Sequence, residues 1–571
     1  MISIKIINNI FTKKEINYFW ILFFGILFTT ILDVISFGTI IPVFNIIFLD
    51  KIPSIFLYFV NIKDLQINFN LKIIFLVCFA SLFYLKNIFI IIFNFFFINF
   101  FKNIHDRISN DLFSNFLNQS YNSFLTKSSE NFLQKVNNDV ALLNTFLIAF
   151  INFLIEFIFL ILISILLLFI NYKIFLICFI SFLFVLIIYY KLFQHRIKKW
   201  SNIYRDSIGE LQNLIIDGTQ GFKDIIIYDL KSFFIKRFDD RLNNSTKTMA
   251  RINFLNNIQK YWLELVAFSV LLMALIYFVA MNFDVKKLIP VFGLFIIVMF
   301  RLLTSINKII NSLHLLKFYY PSFIAISKEF IEFKSNNDNA ISLNEKIIFN
   351  NSIEIKNAKF SYINNSIFNN ITFKINKGEC VAIVGKNGSG KTTLLNLIAG
   401  LIKPNEGQII VDNIFDIYSN KNIWFQSLSY VQQNIFLMDT TLKQNIVLTS
   451  ENKINVKKLK NIIDILKLEE VFKKLPNELD TKVGINGISL SGGQKQIISL
   501  ARALYKDGDI IVFDEATSAL DSNMTELVKN LIFSLKGTKT IIMVTHNLDY
   551  FFNCFDKIIE IENKSIKILK G

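Results

Sequence analysis

The chain has 571 residues, 53% hydrophobic and 15% aromatic, with a mean hydropathy of +0.48; that length holds several domains, and that apolarity excludes an ordinary soluble enzyme. The formal net charge of +16 would suit nucleic acid or an anionic membrane surface. Lys, Asn, Ile and Phe all have AT-rich codons, however, so codon bias accounts for part of the excess and no nucleic-acid partner is inferred.

The N-terminal MISIKIINNIFTKKEIN has no apolar stretch followed by a small-residue cleavage site, and is not read as a removable signal peptide. Long apolar runs follow. A bilayer core of roughly 30 Å needs about 20 apolar residues as helix, and six stretches qualify: about 18–46, 72–98, 141–170, 174–191, 262–282 and 288–310. The loops between them alternate in size. Residues 50–71, 171–173 and 283–287 form the shorter set, while 100–140 and 192–260 are long, polar and expected to be helical. The second long segment is rich in Lys and Arg, which places the long segments and both termini in the cytoplasm. Residues 52–62, IPSIFLYFVNI, read either as a short amphipathic helix or as a loop packed on the bilayer surface. Four scattered cysteines, Cys78, Cys178, Cys380 and Cys554, make no metal or disulfide pattern and are read as buried thiols.

The spans carry charges, although a cation at the centre of a membrane helix costs about 2.5–3.5 kcal/mol on insertion scales. At about 1.5 Å per residue, Arg301 lies roughly 20 Å into the sixth span from outside. Lys308 falls near the inner surface on the same face, Lys86 at the level of Arg301, and Lys260 at the cytoplasmic start of the fifth span. All four cations fall in the inner half of the bilayer. The same counting puts Asp33 and Glu156 in the outer half. Glu264 is placed to pair with Lys260. Two readings stay open: the cations snorkel to headgroups, or they line a cavity for an anionic cargo.

The chain divides near residue 330. Residues 331–350 are polar and Asn-rich, a linker; residues 351–571 alternate β-branched runs with amphipathic helices, the pattern of an α/β domain with a mostly parallel sheet. CVAIVGKNGSGKTTLLNLIAG (380–400) fits G-x4-G-K-[ST] through Gly385, Gly390, Lys391 and Thr392. Such glycines let backbone N–H groups close around phosphates at a helix N-terminus. Lys391 would reach the β- and γ-phosphates and Thr392 would ligate Mg²⁺. In IIVFDEATSALD (510–521), Asp514 ends an apolar strand and suits Mg²⁺, and Glu515 is placed to polarise a water. Two acids after a strand are also compatible with a helix cap.

Between these motifs lies LSGGQKQ (490–496). With the phosphate loop and the acidic strand end, it resembles the nucleotide-binding domain of ATP-binding cassette transporters, over residues 352–571. The resemblance implies roles for further positions. Tyr362 would stack on adenine. Asn387, Gly388, Ser389 and Thr393 would complete the phosphate cradle. Gln433 would touch Mg²⁺, and His546 would stand near the γ-phosphate. Asp521 would close the loop after the strand, and Ser491, Gly492, Gly493 and Gln494 would complete the ATP site of a second copy. The family's residues before Gln433 and after Gly484 are replaced here by Gln432 and Ile485. One cassette and six spans make a half-transporter of the exporter type, implied to work as a homodimer with ATP and Mg²⁺. Segments such as 121–136 would dock on the cassettes. The expected fold is therefore a membrane α-helical domain of six transmembrane helices (1–330) fused to an α/β P-loop cassette.

QKYWLELVAF (259–268) and FRLLTSINKIINSLHLLKFYY (300–320) are similar to the bacterial flippase of lipid-linked oligosaccharides in protein N-glycosylation. That family carries a cation at the positions of Lys86, Lys260, Arg301 and Lys308, usually arginine, implied to draw a lipid pyrophosphate into the cavity. The implied activity is ATP-driven flipping of a polyprenyl-pyrophosphate-linked oligosaccharide across a bacterial inner membrane. A lipid A or phospholipid flippase uses the same fold. A multidrug or peptide exporter would want a more apolar or acidic cavity, and a channel or regulator would not need Glu515 and His546.

Overall fold

The computed structural model describes residues 10–39, 69–126, 129–170, 172–280, 285–336, 349–362, 365–419, 421–449, 454–472, 475–484, 490–517 and 519–570. The candidate amphipathic segment 52–62, Ile485 of the expected coupling loop and Ser518 lie outside them. The chain forms two compact units: residues 1–119 with 127–338, and Ser120–Thr126 with Asn339–Gly571.

In the first unit the apolar runs become helices because a backbone in hydrocarbon must satisfy its own polar groups. Among the described residues, six long helices hold the described parts of the six stretches: α1 (Lys13–Gly38), α2 (Phe69–Asn118), then, after the short helix α3 (Tyr121–Thr126), α4 (Val140–Ile170), α5 (Tyr172–Gln220), α6 (Lys231–Ala280) and α7 (Val285–Asn336). At 49 to 52 residues, α2, α5, α6 and α7 are more than twice the length that spans a bilayer. The long polar segments are therefore mostly extensions of the spanning helices. Among the described residues, Lys13–Ser36, Leu76–Asn118 and Phe132–Leu166 are long and apolar enough to cross a membrane. Helix α7 continues to Asn336, so the first six residues of the expected linker are helical. IEFKSN lacks the Gly or Pro that would stop a helix.

Aromatic side chains fill the core of this unit. Phe97, Phe100 and Phe101 of α2 are buried with Phe146 of α4 and Phe323 of α7, and the last two rings stack at 4.9 Å. Ion pairs pin the polar ends. Arg107 donates to Glu15 at 2.5 Å and to Asp111 at 2.7 Å. A single π turn, Lys135–Asp139, leads into α4 and buries Asp139, whose carboxylate accepts from Arg205 at 2.9 Å and from Ser322 at 2.7 Å. Cys380 and Cys554 are buried as expected, but Cys78 is exposed. The side chain of Cys178 lies outside the described residues.

The second unit holds two sheets. β1 (Ser352–Tyr362), β2 (Asn365–Asn376), β4 (Glu406–Val411) and β5 (Phe415–Asp416) form an antiparallel sheet in the order β2-β1-β4-β5. β3 (Cys380–Gly385), β6 (Leu428–Val431), β7 (Ile510–Asp514), β8 (Thr540–Val544), β9 (Lys557–Glu562) and β10 (Ser565–Lys570) form the other, in the order β10-β9-β3-β8-β7-β6. The ladders β9-β3, β3-β8, β8-β7 and β7-β6 are parallel. The inner strands are buried on both faces, so they read as continuous β-branched runs rather than alternating ones. CVAIV, IIVFD and TIIMV are the instances. Ligand sites in such sheets gather at the carboxyl ends of the strands, and the ends of β3, β7 and β8 place Gly385, Asp514 and Thr545 side by side.

Candidate functional site

At the end of β3 the chain turns through Gly385 (φ +153°) and reaches α8 (Lys391–Ile398) through Gly390 (φ +103°). A Cβ on Gly390 would lie 2.7 Å from Ile367 Cγ2, and its left-handed backbone favours glycine in any case. Asn387 and Gly388 lie between them, and a Cβ on Gly388 would meet nothing within 4 Å. Lys391 Nζ donates to the carbonyls of Gly385 at 2.9 Å and Lys386 at 3.2 Å, lying across the cradle. Ser389 Oγ is buried and has no partner. Thr392 and Thr393 begin α8.

Asp514 ends β7 and is 5% exposed. Tyr430 donates to its Oδ2 at 3.2 Å, and Thr392 stands close enough to favour the charged form. Its Oδ1 is buried without a partner. Burial raises the Asp514 pKa, and the neighbouring Glu515 acts in the same direction; Tyr430, Lys391 and Thr392 oppose them. An orphaned carboxylate oxygen beside Thr392 fits a hard cation with oxygen ligands, so the residues present fit Mg²⁺. Glu515 takes a left-handed backbone, φ +51°, uncommon for a non-glycine residue and a mark of a functional turn. Its carboxylate accepts from Gln433 Nε2 at 2.5 Å and pairs with His546 Nε2 at 2.9 Å. Three residues far apart in sequence thus meet at one carboxylate. The helix-cap reading of these acids is excluded, because the next helix, α10 (Ser522–Leu535), is capped by Asp521, which accepts from Met524 N at 2.8 Å.

Tyr362 ends β1 and stands edge-to-face with Phe360 at 4.8 Å. Ser491 caps α9 (Gly492–Lys506) in a reciprocal pair with Gln494: Gln494 N donates to Ser491 Oγ at 3.2 Å, and Ser491 N donates to Gln494 Oε1 at 2.8 Å. A Cβ on Gly493 would lie 3.1 Å from the carbonyl of Ala519. Ala519 N in turn donates to Gln496 Oε1 at 3.2 Å. The signature glycines are therefore held against the loop that follows Glu515. Tyr430 is the residue of this site that sequence reasoning missed. It lies three positions before Gln433, on a strand whose motif draws attention only to the glutamine.

One measurable consequence concerns Asp514. A raised carboxylate pKa means the folded state disfavours the charged form, so the ionised group costs stability above the ordinary carboxylate range and none below it. Asp514→Asn is expected to raise the nucleotide-free melting temperature at pH 7 and to lose the further rise that Mg²⁺ and ATP bring. Thermal unfolding with and without Mg²⁺-ATP checks both. A lower nucleotide-free melting temperature would contradict the burial argument.

In the membrane unit the structure brings together three of the four proposed cargo cations. Lys86 Nζ lies 2.6 Å from Asp33, and Arg301 reaches Asp33 at 3.3 Å and Glu156 at 3.7 Å. Lys308 lies 2.8 Å from Glu156, and Ser305 donates to Glu156 at 2.5 Å. This corrects the depth reading of the two acids. Asp33 and Glu156 stand at the level of the cations, not in the opposite half, because counting residues assumes a common plane of entry for helices of very different length. Among the described residues, three cations of this cluster face two carboxylates. Arg301 also covers the Phe159 ring at 4.1 Å. The Lys86 side chain is 8% exposed and that of Lys308 60%. A cavity of about 390 Å³ opens on this cluster, lined by Asp33, Asn94, Asn152, Glu156, Arg301 and Lys308 among others. Lys260 is not in the network. It is exposed and lies 3.9 Å from Glu264, four residues on.

The family profile described as "ABC transporter transmembrane region" matches residues 16–306, more than half the chain, and the profile "ABC transporter" matches residues 368–518. The chain belongs to the ABC transporter family. As an ABC protein with one membrane region and one ATP-binding cassette, it has the build of an exporter half-transporter. It is 29% identical over 356 residues to a heterocyst differentiation ATP-binding protein, HepA, of Nostoc; the match covers 62% of this chain and 57% of that protein. It is 27% identical over 376 residues to an ATP-dependent lipid A-core flippase of Haemophilus influenzae, covering 65% and 63%. In both cases the matched part is less than two thirds of the relative. A solved bacterial Atm1-family ABC exporter with ATP bound shares the fold, with a TM-score of 0.74 at 18% identity over 97% of this chain and 94% of that one.

Proposed function

We propose that this ABC half-transporter is an ATP-driven lipid flippase that works as a homodimer in a bacterial inner membrane. It moves an anionic polyprenyl-pyrophosphate-linked oligosaccharide from the cytoplasmic to the outer face. The observation that carries the reading is the cavity in the apolar helices, whose wall sets Arg301 and a largely exposed Lys308 beside Asp33 and Glu156. Charge inside membrane helices is retained for function, and a phosphate is the compensating group for lysine and arginine.

In the cassette, Glu515 is the general base. Its hydrogen bonds to Gln433 and His546 orient the carboxylate for an incoming water. Lys391 leaves the carbonyls of Gly385 and Lys386 for the β- and γ-phosphates. Thr392, Gln433 and Asp514 would hold Mg²⁺, which would supply charge neutralisation for the phosphates. Tyr362 supplies an aromatic face for adenine, and Ser491, Gly492, Gly493 and Gln494 complete the site of the second copy.

A second reading has its own support: several relatives carry the name lipid A-core flippase. Lipid A is also a phosphorylated anion and would use the same cations. ATP turnover of the protein in nanodiscs separates the readings from a neutral cargo. Polyprenyl pyrophosphate is expected to stimulate turnover, with half-saturation weakened about tenfold in Lys308→Ala. Stimulation by uncharged polyprenol alone would remove the anionic cargo, and stimulation only by lipid A would give the second reading.

A further inference from the structure

A second cavity, of about 430 Å³, adjoins the first through Lys308. Its wall is almost wholly amide: Asn253, Asn256, Asn257 and Gln259 of α6, and Asn307 and Asn311 of α7, with Lys308 as its charged member. No carboxylate and no apolar side chain is among these lining residues. The spacing builds the wall. Asn253, Asn256 and Asn257 sit at i, i+3 and i+4 on one face of α6, and Asn307 and Asn311 are one turn apart on α7. Asparagine is a poor helix former, so nothing in the helices themselves asks for this cluster.

Two atoms indicate what the cavity lacks. Gln259 is 2% exposed. Its Nε2 donates to the Asn307 carbonyl at 3.4 Å, but its Oε1 is buried with no partner, and so is Asn307 Oδ1. Both are acceptors whose bonds no described residue supplies. Asn256 Oδ1 is already paired with His314 Nδ1 at 2.9 Å, and the remaining amide groups offer donors and acceptors together, which match a hydroxyl that both gives and takes a bond. A second phosphate would find no further cation here, and an acyl chain would strand the amides in hydrocarbon.

We propose that the amide cavity is the subsite for the hydroxylated, glycosyl part of the cargo, next to the phosphate met by Lys308. This rests on the proposed lipid-phosphate flippase reading and adds to it a determinant for the first sugar. It assigns specificity to α6 residues that the cation cluster does not involve.

The test compares two probes on the full-length protein in nanodiscs: polyprenyl pyrophosphate bearing one N-acetylhexosamine, and the same lipid without sugar. Half-saturation of ATPase stimulation is read for each. The wild type is expected to prefer the sugar-bearing lipid by about tenfold, roughly the gain from a few well-made hydrogen bonds. Asn253→Leu/Asn257→Leu, at two exposed positions where leucine favours helix, should bring the ratio to near one while the sugarless lipid keeps its response. Gln259→Leu, which removes a buried amide whose Oε1 has no partner, should lower the ratio in the same direction. Equal half-saturation in the wild type, or a preference that survives the double substitution, overturns the subsite and marks the cavity as one for structural water only, leaving the phosphate reading intact. Failure of both lipids to stimulate overturns the subsite and the flippase reading together.

Discussion

Glu515→Gln is expected to lower ATP turnover by about a hundredfold or more while nucleotide still binds, so that the variant accumulates as a closed, ATP-bound homodimer. The substitution keeps shape and one acceptor oxygen but removes the charge that would take a proton from water. The carboxylate is not interchangeable with its neighbours. It sits at a left-handed backbone position directly after β7 and is held by Gln433 on one oxygen and His546 on the other. Asp514, one residue earlier, is buried and bonded to Tyr430, and cannot substitute. Single-turnover hydrolysis with native mass measurement of the dimer checks both parts. Turnover within about twofold of wild type would remove Glu515 as the base.

Glu156→Ala is expected to have the largest effect on stability. Its side chain is 5% exposed and accepts from Ser305 while pairing with Lys308 and Arg301. Removing one member of a buried pair leaves uncompensated charge and typically costs about 3–5 kcal/mol. Arg301 keeps Asp33 at 3.3 Å, so part of the charge remains covered and the lower end of that range is expected. Arg301→Ala placed on Glu156→Ala should recover part of the loss, because the pair is coupled. Thermal unfolding of the four members of this cycle in one detergent gives the coupling directly. Strict additivity would mean that the two side chains act independently and that the cluster is no network.

The cassette was legible because its signals are local. In CVAIVGKNGSGKTT one short segment holds the strand, the glycine turn and the helix start, and IIVFDE holds a strand and its terminal acids. Their convergence with Gln433 and His546 needed the parallel sheet, whose strand order is not written in any one segment. The membrane unit was legible as helices but not as a packed bundle. Asp33 and Glu156 were misplaced because a depth counted along one helix says nothing of the tilt or overhang of its neighbour. The three-way meeting of α1, α4 and α7 around Arg301 is a tertiary fact. The amide cavity was missed for a similar reason: asparagines spread over two helices look like compositional bias until Gln259 and Asn307 face each other. Arg301 itself changes meaning. A cation in a membrane helix first suggests a cargo contact, yet the closest charges to Arg301 belong to the protein, and the more exposed cation of the cluster is Lys308.

The most direct measurement is flipping itself. Purified protein in proteoliposomes would be given ATP and a short polyprenyl-pyrophosphate oligosaccharide, and the loss or gain of glycan access to an external glycosidase would be scored over time. The account predicts ATP-dependent movement of the glycan, abolished in Glu515→Gln and strongly reduced in Lys308→Ala. Healthy ATP hydrolysis with no movement of this lipid would contradict it, and would hand the cavity to another anion.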